Sequence, residues 1–509
     1  MNKKHIALAA ATLSLAICGF TASAKSFKRG VGENAFNLKE EFEAVKPGVS
    51  WFYNWANTPN SNIRDAVDGD FEFVPMCWNG NYNADNIRTF CKAHPEVKYL
   101  LGFNEPNFKN QANMTPEVAA AAWPQVQALA KELGLKLVGP AVNYSPDGPE
   151  NDPYTWYAKF VSLVGKDAFD FIAIHNYSGG VDGMRTMIDK FYGLYGKQIW
   201  LTEFCNWPGN TTITPAAQIT SMVAQVEYLE KSEKVYRYAW FKAKGSATMS
   251  PAYALIIPKN GAGPRELSEQ GNVYINMTDF DATRYHSMTE LVPAVEYINS
   301  KALVLGSSYD ERNTSPIEIT QFNAGAYADY QFDVPSAGDY TLTLRVSGMG
   351  EPTRFDPYIG IYSVDNDGNE LSALAAARQF QLTNDEKTYA EVQFAVSLAA
   401  GKQRIRVKDC GPYSPSGIHI SALTFDPNGS VDTVTIDTEK VACHFSGDRL
   451  LFTGNATVTK ASVYDLNGRL VAEGTVEGNT LAAGSLASGV YIVNATTADG
   501  ARVTLKTLK

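Results

Sequence analysis

Two glutamates each close an apolar, strand-like run: Glu105 in YLLGFNEPN (99–107) and Glu203 in QIWLTEFCNW (198–207). Two carboxyl groups converging on one bond can divide a reaction between them. One donates a proton to a departing oxygen while the other attacks, or activates water, as is needed to break the acetal joining two sugars. Glu105 stands in Asn104-Glu105-Pro106 after a run of buried character, so its side chain is expected to emerge where that run ends, as proton donor and acceptor. The role calls for a pKa raised toward ~6 by burial or a nearby carboxylate, in surroundings that Phe103, Asn107 and Phe108 can supply. Glu203 is then the nucleophile or base. Spacing along the chain leaves retention and inversion open, because they differ in carboxyl separation, about 5–5.5 Å against roughly 6.5–9.5 Å. The plain alternatives are a solvated turn glutamate at 105 and an ion-paired one at 203.

His175-Asn176-Tyr177 ends another apolar run. In strand alternation His175 and Tyr177 point the same way, so Tyr177 is expected to donate to Glu203 and keep it ionised, with His175 lining the same cleft. Asn104 is placed to hydrogen-bond a sugar hydroxyl. Trp51, Tyr53, Trp55, Trp78, Tyr144, Trp207 and Trp240 lie on or just after strand ends, where aromatic faces can stack on pyranose C–H faces. Core packing is the competing role for each. Trp207 and Trp240 are the preferred platforms because they flank the seventh and eighth strand ends.

The elements that must position these residues follow from the pattern. Strands are expected at 28–32, 49–55, 71–78, 99–104, 136–143, 169–177, 199–204 and 235–242, mostly as continuous apolar runs suited to parallel strands covered by helices. Thr115-Pro116 and Thr214-Pro215 read as helix caps with proline in the first turn, and Gly134 as a helix stop. Eight strands with intervening helices make a (β/α)₈ TIM barrel, whose functional groups sit at the carboxyl ends of the strands. Glu105 and Glu203 fall at the ends of the fourth and seventh.

The 509 residues carry a formal charge of −10, from 54 acidic and 44 basic side chains, which disfavours a nucleic-acid partner and suits a neutral substrate. Residues 1–24 read as a signal peptide, with Lys3 and Lys4 before an apolar run and Ala22-Ser23-Ala24 as the cleavage pattern, so a secreted or cell-surface protein is expected. No later run is long and apolar enough for a transmembrane helix. Cys77, Cys91, Cys205, Cys410 and Cys443 are scattered and odd in number, and the histidines are dispersed, so neither a metal site nor a cofactor is read. The domain reading is 25–282 for the barrel, 283–427 for an antiparallel β-sandwich of jelly-roll type, and 433–509 for a small all-β domain. The last two rest on period-two runs such as YADYQFDV, YTLTLRVS and EVQFAVSL, with Asp426–Ser430 as linker.

GFNEPN, then QANMTPEVAAAAWP, VGPAVN, FIAIHNYS and LTEFCNW, resembles glycoside hydrolase family 128, with KRG (28–30) and VSWFYNWAN (49–57) like its opening strands. The resemblance runs through 28 to about 245. It implies a (β/α)₈ endo-β-1,3-glucanase of a retaining clan, with Glu105 as acid/base, Glu203 as nucleophile, Asn104 touching sugar, and His175 and Tyr177 in the cleft. Residues 283–426 resemble family 6 carbohydrate-binding modules, which implies a sugar platform on a tyrosine such as Tyr358, Tyr362 or Tyr413. The tail, with ASVYDLNGRLV, LASGVYIVNATTADG and TLKTLK, resembles a type IX secretion sorting domain, implying the secretion machinery as partner. The rival readings are a different (β/α)₈ glycosidase, such as a β-mannanase or xylanase, and an inactive surface glycan-binding protein.

Overall fold

The computed structural model describes residues 25–34, 36–207, 212–245, 252–259, 265–348, 356–411, 416–426, 441–454, 456–465, 469–498 and 502–509. The expected signal peptide and the linker beyond Asp426 lie outside them, as does Tyr413. The chain divides into two units, Met1–Asp281 and Ala282–Lys509.

All eight expected strands of the first unit form: β1 (Arg29–Gly32), β2 (Trp51–Tyr53), β3 (Glu72–Phe73), β4 (Tyr99–Leu101), β5 (Lys136–Val142), β6 (Phe171–Asn176), β7 (Ile199–Phe204) and β8 (Val235–Phe241). They make one parallel sheet in the order β3-β2-β1-β8-β7-β6-β5-β4. Its two edges meet through the parallel bridge Met76–Leu101, with Cys77 N–H donating to Leu101 O at 2.9 Å, so the sheet curls into a TIM-barrel-like ring. The helices behind it begin and end where the sequence directs. Thr115 caps the helix Pro116–Leu133 by accepting from Val118 N–H, Gly134 stops it at φ 67°, and Thr214 caps Pro215–Lys231. Among the described residues no helix is long and apolar enough to cross a membrane.

The barrel interior is filled by Trp51, Tyr53, Val74, Met76, Leu101, Val138, Ala141, Ala173, Trp200 and Ala239. Two glycines on β1 make room for the largest of its rings. A Cβ on Gly30 would come within 2.3 Å of the Trp51 indole, and one on Gly32 within 2.9 Å of the Trp55 indole. Small residues on one strand thus accept bulky ones from the next.

The second unit is all-β. Its larger sheet runs Glu370–Gln379, Tyr358–Val364, Gly401–Asp409, Ile317–Val334, Ile418–Asp426, Gly338–Gly348, Ala390–Leu398, each pair antiparallel. Alternate residues such as Leu342, Leu344, Val346, Phe394 and Ile420 are buried, as a period of two requires. Residues Ala442–Leu508 add sheets of three and four strands around Leu450, Val463, Tyr491 and Val493.

Candidate active site

Glu105, His175 and Glu203 converge at the carboxyl end of the barrel, all three buried. His175 Nδ1 lies 2.9 Å from Glu105 Oε1 and 3.3 Å from Glu203 Oε2, so a single ring nitrogen faces both carboxylates. One oxygen of each glutamate and the imidazole nitrogen all lie within 4.8 Å of one another. The other ring nitrogen, Nε2, is 3.0 Å from the Thr202 hydroxyl.

Donors surround Glu203. Its Oε1 accepts from Trp55 Nε1–H at 2.7 Å and from the Tyr53 hydroxyl at 3.2 Å, and its Oε2 accepts from the Tyr177 hydroxyl. Burial, reinforced by the charge of Glu203, holds the Tyr53 and Tyr177 phenols well above their ordinary range, so both remain donors at neutral pH. Glu105 has one side-chain partner among the described residues, His175.

The electrostatics run against the simplest expectation, that Glu203 is held ionised without opposition. Burial pushes its carboxyl up, and the neighbouring Glu105 adds to this. His175, Tyr177 and Trp55 pull it down, and the net direction is up. Burial would lower His175, but the charges of Glu203 and Glu105 and the hydrogen bond to Glu105 outweigh it and hold the imidazole above its usual value. Glu203 and His175 are thus coupled, each shifted by the charge of the other.

Local backbone strain accompanies this geometry. Glu105 and Trp55 both occupy the left-handed region, at φ 42° and 57°. Such conformations cost non-glycine residues roughly 1–3 kcal/mol each and persist where surrounding contacts fix them. The Glu105 N–H donates to Ala141 O and that of Asn104 to Trp78 O, both at 2.9 Å, which pins the turn to its neighbouring segments.

The structure gathers Glu105, Glu203, His175, Tyr177, Tyr53 and Trp55, and keeps Asn104 adjacent. The Asn104 side chain donates to Gln111 at 3.3 Å and leaves its own carbonyl oxygen buried without a partner. Trp78 is partly buried against the barrel interior. Tyr144 is 59% exposed and meets Tyr154 edge-on, with no contact to the carboxylates. Trp207, 38% exposed, meets the Tyr177 ring edge-on and stacks on Tyr253, so it borders the site.

Two expected platforms are corrected. Trp51 begins β2 and sits fully buried at the opposite end of the barrel, its indole N–H on Lys28 O and its ring against Trp200. Trp240 is also fully buried and packs outward on Phe204 and Tyr274, because Ala239 takes the inward position on β8. Strand membership was right in both cases, but height and facing were not. The sequence reading missed Thr202, Phe241 and Tyr253. Phe241 contacts Trp55, Tyr177 and Trp207, and Tyr253 reaches Trp207 from the segment after β8. Facing along β8 could have signalled Phe241; no motif marks Tyr253.

Glu105, His175 and Glu203 are also the one set among the described residues whose donor atoms converge closely enough for a metal ion. Their surroundings suit protons better. Both Glu203 oxygens already accept N–H or O–H donors, and His175 Nδ1 is within hydrogen-bond reach of Glu105.

A buried carboxyl pair with an imidazole between them at the mouth of a parallel barrel is the arrangement of an acid–base hydrolase. Residues 30–274 match the family model described as a glycosyl hydrolase catalytic core, and the protein is a glycoside hydrolase. Among solved structures it is similar to an endo-β-1,3-glucanase of family 128, subgroup II, from Pseudomonas viridiflava. The two are 33% identical over 49% of this chain and 98% of that one, with a TM-score of 0.44. A subgroup II enzyme from Sorangium cellulosum is 31% identical over 49% and 97%, with a TM-score of 0.43. A subgroup I enzyme from Amycolatopsis mediterranei, in complex with laminaritriose, is 29% identical over 47% and 96%, with a TM-score of 0.37. No curated protein matches the chain.

Proposed function

We propose that this glycoside hydrolase is a family 128 endo-β-1,3-glucanase that retains anomeric configuration, with Glu203 as nucleophile and Glu105 as acid/base. The approach of the two carboxylates carries the reading: an oxygen of each lies within 4.8 Å of the other, in keeping with the short separation that retention needs. Hydrogen bonding separates the roles. Glu203 receives Tyr53, Trp55 and Tyr177, the surroundings of a group that must react as an anion, whereas Glu105 is left with His175 and can gain and lose a proton. In the first step Glu203 attacks the anomeric carbon as Glu105 protonates the leaving oxygen. In the second, Glu105 takes a proton from water, which displaces Glu203. For the linkage, what supports β-1,3-glucan is sequence: one-third identity over nearly the whole length of an enzyme named for it.

The accessory regions enter the same proposal. Residues 283–426 are read as a family 6-like sandwich offering a tyrosine such as Tyr358, 39% exposed, or Tyr362 as a sugar contact. The tail is read as a secretion sorting domain, in keeping with an exported enzyme. Laminarin, mannan and xylan should be compared as substrates, with the anomer of the first product followed by NMR. Laminarin cleaved internally to β-anomeric product is expected. Preferential cleavage of mannan or xylan would overturn the linkage, and a first product of inverted configuration would overturn the roles.

A further inference from the structure

Strand β7 carries one residue more than its neighbours allow. Against β6 the register runs Ile174–Leu201 and then His175–Glu203, skipping Thr202; against β8 it runs Leu201–Tyr238 and then Phe204–Trp240, with three residues facing two. This is a β-bulge, which re-aims side chains and is common beside active sites. Its effect is visible in the contacts. In regular alternation Thr202 and Glu203 would face opposite sides of the sheet. Here the Thr202 hydroxyl reaches His175 while the next residue, Glu203, meets His175, Tyr177, Tyr53 and Trp55. The Tyr53 hydroxyl binds both Thr202 O, at 3.0 Å, and the Glu203 carboxylate, tying the bulge in place.

We propose that Thr202 is a positioning residue: through His175 Nε2 it fixes the imidazole so that its Nδ1–H stays directed at both carboxylates. The double-displacement reading above, on which this rests, moves one negative charge from Glu203 to Glu105 when the glycosyl-enzyme forms. A donor 3.3 Å from one and 2.9 Å from the other can follow that charge without moving. It does so only while the ring holds its orientation, and Thr202 is the side chain hydrogen-bonded to the ring's far nitrogen. A threonine hydroxyl both donates and accepts, so it satisfies Nε2 whether or not that nitrogen bears a proton. Thr202 is itself 1% exposed and so acts through His175.

The test uses the full-length enzyme with Thr202→Val, which keeps the shape and removes the hydroxyl, and Thr202→Ser, which restores it. On laminarin, Thr202→Val is expected to lower kcat about ten- to a hundredfold with KM within about twofold, the scale for a functional histidine that loses the outer hydrogen bond orienting its ring. Thr202→Ser should recover most of kcat. In ¹⁵N-histidine-labelled enzyme, with His175 assigned through His175→Asn, the Nε2 resonance should shift in the valine variant and return in the serine variant. Wild-type kcat in Thr202→Val, an unmoved His175 resonance, or a kcat loss that serine does not restore would overturn the proposal. Failure of the wild type to cleave laminarin would instead overturn the substrate reading, and the ¹⁵N comparison would still decide the role of Thr202.

Discussion

The two ends of the barrel interior both bury carboxylates and handle them in opposite ways. At the floor, Glu72 meets Arg237 at 2.6 Å, and the guanidinium lies 4.8 Å from the ring centre of Tyr99, 5.3 Å from Trp200 and 5.7 Å from Trp51. At the mouth, among the described residues, the sole cationic partner of Glu105 and Glu203 is His175, and the remaining partners are neutral N–H and O–H donors. An arginine is permanently charged, so the floor pair is locked in one state and serves the fold. An imidazole, unlike a guanidinium, can lose its proton, so the mouth is electrically adjustable and correspondingly less favourable to bury. One barrel thus separates permanence from reactivity along its axis.

The sharpest way to break this contrast is to neutralise one carboxylate at each end. Glu203→Gln should lower kcat on laminarin by more than about 10³, because the proposed nucleophile is gone, while Tm stays level or rises as a buried carboxylate is replaced by a neutral amide. Glu72→Gln should do the reverse. It leaves a buried guanidinium without its counter-charge, at roughly 3–5 kcal/mol, which for a domain of this size lowers Tm by on the order of 10 °C without altering kcat of the folded enzyme. Calorimetry and initial rates on the same preparations decide it; a stability loss at Glu203 equal to that at Glu72 would remove the distinction.

Smaller changes refine it. Tyr177→Phe takes one donor from Glu203 and should cost about 10²-fold in kcat, the scale for deleting a preorganised donor to a reacting oxygen. The mouth should also give stability a particular pH dependence. Glu203 and His175 both hold protons more tightly folded than unfolded, so their contribution is complete below the unfolded values of about 4.3 and 6.5 and declines as pH rises through the higher folded ones. His175→Asn removes the imidazole's share and, because Glu203 is no longer pulled down, should extend the Glu203 share of that decline to higher pH in Tm measured between roughly pH 5 and pH 9. The smallest expected effect is from metal removal. Dialysis against a chelator should leave kcat unchanged, since donors already occupy both oxygens of Glu203, and a loss restored by a divalent ion would recast the three convergent residues as ligands.

What could be read from the sequence varied with the kind of statement. The eight barrel strands were legible because burial on both faces leaves unbroken apolar runs, and the helix starts because Thr115 and Thr214 each precede a proline. Which aromatic reaches the mouth was not legible. Trp51 and Trp55 stand on either side of Tyr53, yet Trp51 lies at the floor and Trp55 donates to Glu203, a difference set by where β2 begins and by the left-handed turn at Trp55. Trp240 was misread through facing: one step along β8 separates an inward Ala239 from an outward tryptophan.

The sequence by itself determined that the chain would make a parallel barrel with glutamates at its fourth and seventh strand ends, because burial and capping act locally and leave periodic marks. Only the tertiary structure decided that Glu105 and Glu203 share one imidazole, that Thr202 turns toward it, and that Arg237 finds Glu72. Those contacts join residues far apart in the chain. They depend on ring closure and on a one-residue bulge in β7, and neither leaves a pattern that spacing along a single strand can carry.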